Sequence, residues 1–140
     1  MEQEIKLEEN KVEKRPTGKT DSFGGLTKKE LMNSLKLMYL ARQIDHKIMN
    51  LIKQGKAFFH IAGAGHEATQ IAFGLNLTPK LDWGFPYYRD MAFMLALGTK
   101  PEEVFLQALA KESYLMTGGR QMPCHWASKE LNVPTQSSPT

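Results

Sequence analysis

A single cysteine, Cys124, stands in 140 residues, so no disulfide can form within the chain, and one thiol fits a reducing compartment. Long apolar runs are missing too. The longest apolar-rich stretch, Met91 to Leu97, covers only about two helical turns and falls well short of a bilayer. No Gly-Asp dipeptide occurs anywhere in the chain. The four histidines and one cysteine show no ligand pair at zinc spacing. A strong charge of either sign is absent: the net charge is +3, which suits an anionic ligand as well as nucleic acid and decides neither. The first twenty residues carry five acids, five bases and few apolar side chains. A mitochondrial transit peptide would be poor in acids, and a secretory signal would have an apolar core. Residues 1–22 therefore read as a flexible charged arm, and 23–140 as the folded portion.

What is present is largely helical. "TKKE" at 27–30 has the makings of a capping box, with Thr27 and Glu30 each able to reach the other's backbone amide. Behind it Leu31, Leu35, Met38, Ile44, Ile48, Leu51 and Ile52 recur at helical spacing. That predicts an amphipathic helix over roughly 28–53, ended near Gly55. Arg42, Asp45 and His46 lie on or beside its polar side, where most charges only solvate the face. Glu67, Ala68, Ile71, Ala72 and Leu75 predict a second helix ending near Asn76, and Pro79 keeps the next segment out of it. "FFHIA" can pass as a strand, and "LDWGF" is a buried strand or a loop. Tyr88 to Leu97 reads as a third helix closed by Gly98. Thr99 is expected to cap a fourth, with Pro101 and Glu102 in its first turn, running to about Met116. From Gly118 onward the pattern dissolves into loop residues, and the abrupt "SSPT" reads as a chain cut short.

Several motifs carry chemistry. "GAGHEA" at 63–68 matches G-x-G-x-x-A, but a dinucleotide site needs a surrounding βαβ unit and an acid about 20 residues on; Asp82 comes early. A glycine-loosened turn into a helix is the better reading. "HEA" with "PCHW" lacks the H-x-E order and the second cysteine of the zinc deaminases. Cys124 beside His125 is not read as a nucleophile with its base, since catalytic pairs meet in space rather than in sequence. "YYRD" at 87–90 is expected to open a helix. A cation in a first turn opposes the macrodipole, so Arg89 calls for an anion nearby, either a bound phosphate among tyrosine, guanidinium and first-turn N–H groups or a carboxylate.

Taken in order, "YRD", then "GGRQMPCHW" one helix later, then "SSP" resemble the alpha subunit of the thiamine-diphosphate-dependent 2-oxo acid dehydrogenases, the decarboxylating components of the pyruvate and branched-chain complexes. The likeness covers roughly residues 28–140 and is nearest the branched-chain branch. It departs from that branch at Tyr87, where an amide is usual, and at Thr140, where leucine is usual.

That resemblance implies an α/β fold of the thiamine-diphosphate-binding type, of which this chain covers mainly the N-terminal helical part and the segment leading into the parallel sheet. It implies that Tyr88 and Arg89 contact the cofactor diphosphate. It also implies that Ser138 and Thr140 pass the aminopyrimidine, and that Ser137 and Pro139 belong to a potassium site. Arg120 and His125 would line the route of a 2-oxo acid and a lipoyl arm, facing a carboxylate or developing oxyanion. His60 is a second residue for that cavity, or else a buried structural histidine. The Mg²⁺ ligands, a Gly-Asp-Gly motif and a later Asn, would lie beyond the chain end. Expected partners are the beta subunit, a second alpha subunit, the lipoyl acyltransferase component and the 2-oxo acid, with neither nucleic acid nor membrane among them. The expected location is the bacterial cytoplasm. The rival from another class is a non-catalytic fragment or subunit-interaction module that binds no cofactor.

Overall fold

A computed structural model describes residues 24–114 and 117–135. Four α-helices follow one another: α1 (Lys28–Lys53), α2 (Glu67–Gly74), α3 (Met91–Leu97) and α4 (Pro101–Ala108), with a 3-10 turn at Lys129–Leu131. Helix α1 starts at the capping box as expected: Thr27 Oγ1 accepts from the Glu30 N–H at 3.2 Å, and Glu30 Oε2 accepts from the Thr27 N–H at 2.7 Å. Its apolar stripe turns Ala41, Ile44 and Ile48 inward. Helix α3 is apolar nearly all round, and Met91, Ala92, Phe93, Met94, Leu95 and Leu97 are all buried. The core gathers α1, Ile71 of α2, all of α3, Val104 and Ala108 of α4, and Cys124, Trp126 and Val133 from the last loop. Burying a side chain such as Phe93 stabilises by about 1.5–3 kcal/mol.

Three boundaries differ from expectation, each for a local reason. Helix α3 begins at Met91 rather than Tyr88. Residues 87–90 close a tight turn instead: the Asp90 N–H donates to the Tyr87 carbonyl at 3.0 Å, and the Tyr87 N–H donates to Asp90 Oδ2 at 2.8 Å. The N-cap of α4 is Lys100, not Thr99, and its N–H donates to Glu103 Oε2 at 3.0 Å. Thr99 is spent on the preceding helix, its N–H reaching back to the Met94 carbonyl at 3.0 Å. Helix α4 stops at Ala108 instead of continuing to Met116. The terminating bond is of the same 6→1 kind at three ends, from Lys56 N–H to Leu51, Thr99 N–H to Met94 and Lys111 N–H to Leu106. Gly55 (φ 68°) and Gly98 (φ 117°) supply the left-handed residue in the first two, but Ala110 (φ 50°) supplies it in α4. An alanine there costs roughly 1–2 kcal/mol.

Among the described residues there is no strand, only an isolated antiparallel bridge between Ser128 and Val133. "FFHIA" and "LDWGF" are irregular. The expected approach to a parallel sheet is not seen in these residues. No helix among them is long and apolar enough to cross a membrane.

Candidate functional site

The segment between α1 and α2 has few backbone bonds of its own. After the closure of α1, the next turn bond runs from the His66 N–H to the Gly63 carbonyl at 3.1 Å. Residues 58–62 are therefore placed by side chains. His60 points inward. Its Nε2 lies 2.6 Å from Asp45 Oδ1 of α1, and its Nδ1 lies 3.8 Å from Cys124 Sγ. The two charged side chains are only 3% and 4% exposed. Burial is the largest influence on the imidazole and opposes its charge; the hydrogen bond to Asp45, then the contact with Cys124, outweigh it and push His60 up to about 9. At neutral pH the ring is an imidazolium held between a carboxylate and a sulfur.

The neighbouring corner is built from Tyr88 and Arg89. Gly63 makes it possible: a Cβ at that position would lie 2.5 Å from the Arg89 carbonyl oxygen, against fixed backbone. The corner is gripped on three sides. Gln70 of α2 donates to the Arg89 carbonyl at 3.1 Å and to Asp90 Oδ1 at 3.0 Å, while its Oε1 accepts the Ala92 N–H at 3.2 Å. Trp126 Nε1 donates to the Tyr88 carbonyl at 3.3 Å. Arg89 Nη1 donates to the Ala62 carbonyl at 2.9 Å, and its guanidinium lies 5.4 Å from the Tyr88 ring centre. Arg89 itself is exposed, and its remaining N–H groups have no partner among the described residues. The structure thus corrects the reason for noticing Arg89. It stands before the N-cap Asp90 rather than in a first turn, and the α3 amide of Ala92 is already taken by Gln70.

A second ion pair braces α1 against α2. Arg42 Nη2 lies 2.6 Å from Glu67 Oε1, and Glu67 Oε2 accepts the Gly65 N–H at 2.9 Å. Burial pushes the Glu67 carboxyl up, but its own N–H, Arg42 and Gly65 together hold it below the ordinary carboxylate range.

The loop from Thr117 to Val133 packs on α4 through one buried amide. Gln107, 2% exposed, accepts the Cys124 N–H at 3.1 Å and donates to the His125 carbonyl at 2.9 Å. Cys124 pays for this with a left-handed backbone, φ 68°. His125 is half-buried, with Nδ1 3.1 Å from the Met122 carbonyl and 3.3 Å from that of Pro123. Carbonyls only accept, so Nδ1 carries the proton and Nε2 is the nitrogen left for a ligand. Arg120 is exposed, its Nε donating to the Thr117 carbonyl at 3.1 Å. Two buried oxygens of this loop, Thr117 Oγ1 and Gln121 Oε1, have no partner among the described residues. Ser137, Ser138, Pro139 and Thr140 lie outside the described residues.

The structure therefore brings His60 into contact with the turn that carries His125, and seats Tyr88 under Trp126 of the same loop. Arg120 bonds back to its own turn, with both its Nε and its backbone N–H donating to the Thr117 carbonyl. Nothing in the spacing of α1 separates Asp45 from the solvated charges beside it. Its one signal is the helical register, four residues after Ala41 and three before Ile48 on the inward stripe. Gln70 and Gln107 are equally silent in sequence, because a buried amide is known only by what it bonds.

These donors suit a diphosphate. An exposed guanidinium, anchored through one nitrogen and supported by an aromatic ring, keeps its other N–H groups for an anion. A divalent cation is another matter: among the described residues no group of three or more His, Cys, Asp or Glu could hold one.

Comparison with known proteins agrees with the motif order. Residues 35–140 match the family described as "Dehydrogenase E1 component". The chain is 38% identical over 115 residues to the 2-oxoisovalerate dehydrogenase subunit alpha of Bacillus subtilis, covering 82% of this chain and 35% of that protein. It is 32% identical over 108 residues to the pyruvate dehydrogenase E1 component subunit alpha of Mycoplasma genitalium, covering 77% of this chain and 28% of that protein. A mitochondrial 2-oxoisovalerate dehydrogenase subunit alpha of Arabidopsis thaliana is 35% identical over 96 residues, covering 69% of this chain and 20% of its own length. The chain thus spans about a third or less of the curated relatives it matches. With three quarters of its length inside the family match, it belongs to the dehydrogenase E1 component family.

Proposed function

We propose that this chain forms the N-terminal part of the alpha side of a 2-oxo acid dehydrogenase decarboxylating component. The reaction is oxidative decarboxylation of a branched-chain 2-oxo acid or pyruvate, with acyl transfer to lipoamide. Family membership supports the reaction class, and the relatives' names cover both substrate groups. The single observation that carries the reading is the Arg89 corner, gripped through its backbone by Gln70 and Trp126 while its guanidinium stays exposed. On this reading the fold is the thiamine-diphosphate-binding α/β type, with α1–α4 as its helical N-terminal part. The beta subunit, a second alpha subunit and the lipoyl acyltransferase component are its partners. The bacterial cytoplasm is its place.

When bound, thiamine diphosphate supplies the electron sink that decarboxylation of a 2-oxo acid requires. This chain's residues do the rest of their work by position. Arg89 binds and neutralises the diphosphate, with the Tyr88 hydroxyl beside it. His125, its Nδ1 proton fixed on two carbonyls, offers Nε2 to accept or return a proton at the substrate oxygen. Arg120 steers the substrate carboxylate. His60, both nitrogens engaged, acts from behind this loop. Ser138 and Thr140 are proposed for the aminopyrimidine, and Ser137 and Pro139 for a potassium ion. Magnesium does not fit the described residues, and no step here depends on it.

The test is the cofactor dissociation constant of the assembled enzyme. A charge-assisted hydrogen bond contributes about 1.5–3 kcal/mol, so Arg89→Ala weakens binding roughly ten- to a hundredfold. Arg89→Lys recovers part of it, since an ammonium lacks the planar two-point contact. Turnover at saturating cofactor falls much less. Equal constants for wild type and Arg89→Ala would return Arg89 to a purely structural role.

A further inference from the structure

We propose that Asp45 is a positioning residue: it holds the His60 imidazole against Cys124 and thereby sets the turn that presents His125. The inference rests on the function proposed above and adds a residue that never meets the substrate.

The geometry runs in one line. Asp45 sits in the buried stripe of α1, 3% exposed. A carboxylate there is tolerated only when paired, and its partner is His60 at 2.6 Å. His60 lies in a segment whose own backbone makes no ladder, so the ion pair fixes where the ring stands. The opposite ring nitrogen then meets Cys124 Sγ at 3.8 Å. Cys124 is a non-glycine residue in a left-handed conformation, a backbone state that persists only where its surroundings hold it. Two contacts do so. Gln107 accepts its N–H from the α4 side, and the His60 Nδ1–H meets its sulfur from the α1 side. The next residue is His125, whose ring proton is locked on the Met122 and Pro123 carbonyls of the same turn. Relaxing Cys124 toward an ordinary backbone would rotate that turn and carry the His125 Nε2 with it. The Asp45 carboxylate is thus the far end of a chain of contacts that ends on a ligand-facing nitrogen.

Cys124, the chain's one thiol, is 4% exposed and so reports on the turn. In the assembled enzyme, the rate at which N-ethylmaleimide labels the Cys124 peptide is read by mass spectrometry for wild type, Asp45→Asn and Asp45→Glu. Asp45→Asn is expected to label roughly tenfold faster or more, since local opening frees the thiol. Turnover at saturating cofactor is expected to fall about a hundredfold, as misplacement by an ångström does, while the cofactor dissociation constant changes less than about threefold. Asp45→Glu keeps the charge and is expected to restore part of both. If Asp45→Asn does not assemble, Cys124→Ala decides: it keeps the ion pair, removes the sulfur contact, and is expected to lower turnover without weakening cofactor binding. Labelling that is unchanged in Asp45→Asn would overturn the proposal, as would faster labelling with wild-type turnover, or a Cys124→Ala enzyme of full activity where that variant is the deciding one. A wild-type enzyme that turns over no 2-oxo acid would overturn the function proposed above, and labelling would still decide whether Asp45 sets the turn.

Discussion

His60 and Arg89 are both cations within one short stretch of the fold, and they are put to opposite uses. The His60 ring is 3% exposed, with Asp45 on one nitrogen and Cys124 on the other. The Arg89 side chain is exposed and, among the described residues, anchored by a single hydrogen bond to the Ala62 carbonyl. The first has spent its hydrogen-bonding capacity inside the protein, and the second keeps most of it for something outside. A cation is fitted to bind a ligand by the donors it has left over, and charge alone does not tell the two apart. Stability and binding should therefore separate cleanly between the two positions.

The sharpest way to break this contrast is His60→Ala. It leaves the Asp45 carboxylate buried without a partner, and removing one member of a buried pair costs about 3–5 kcal/mol. A large fall in the denaturant midpoint is expected, against almost none for Arg89→Ala. Comparable losses at both positions would erase the distinction.

A pH titration sharpens the same contrast without any mutation. Because the folded protein raises His60 from its ordinary 6.5 to about 9, the folded state binds the proton more tightly than the unfolded one. Its contribution to stability is fully present below about pH 6.5 and is lost as pH rises through about 9. Unfolding free energy should drop by on the order of 2–3 kcal/mol across that window, and the drop should vanish in a His60→Gln variant. A flat profile in the wild type would mean that Asp45 does not hold the imidazolium.

Gly63→Ala is the smallest of the three and acts on the Arg89 side. The new Cβ meets the Arg89 carbonyl oxygen at 2.5 Å, a backbone atom that cannot step aside alone. Overpacking of this kind costs about 1–3 kcal/mol. The Tyr88–Arg89 corner should shift, and cofactor affinity should fall with stability. Lost stability with unchanged affinity would detach the corner from the cofactor.

How far the sequence reached depends on what kind of signal each element carries. Helix α1 was legible at both ends, because a capping box and a C-terminal glycine are local devices that act through neighbouring backbone groups. The end of α4 was not, because Ala110 does a glycine's work there and gives no composition cue. The start of α3 was misplaced by three residues, since Tyr88, Arg89 and Asp90 continue the helical pattern while the Asp90–Tyr87 bonds close them into a turn. Of the candidate site, the motif order pointed to Tyr88, Arg89 and His125 as residues to propose. It could not find Asp45, Gln70 or Gln107, whose roles lie in partners 15, 19 to 22, and 17 to 18 residues away.

The sequence alone determined the family and the positions of most helices, and it pointed to the residues proposed to meet an anion or move a proton, because these follow from local bonding, periodicity and motif order. Only the tertiary structure decided which cation is buried and which stays available, which nitrogen of His125 is left over, and that Cys124 faces His60 rather than the histidine beside it. The reason is physical. Charge and residue type belong to the chain, but hydrogen-bond capacity is consumed by whatever folding brings within about 3 Å, and that cannot be counted until the helices have packed.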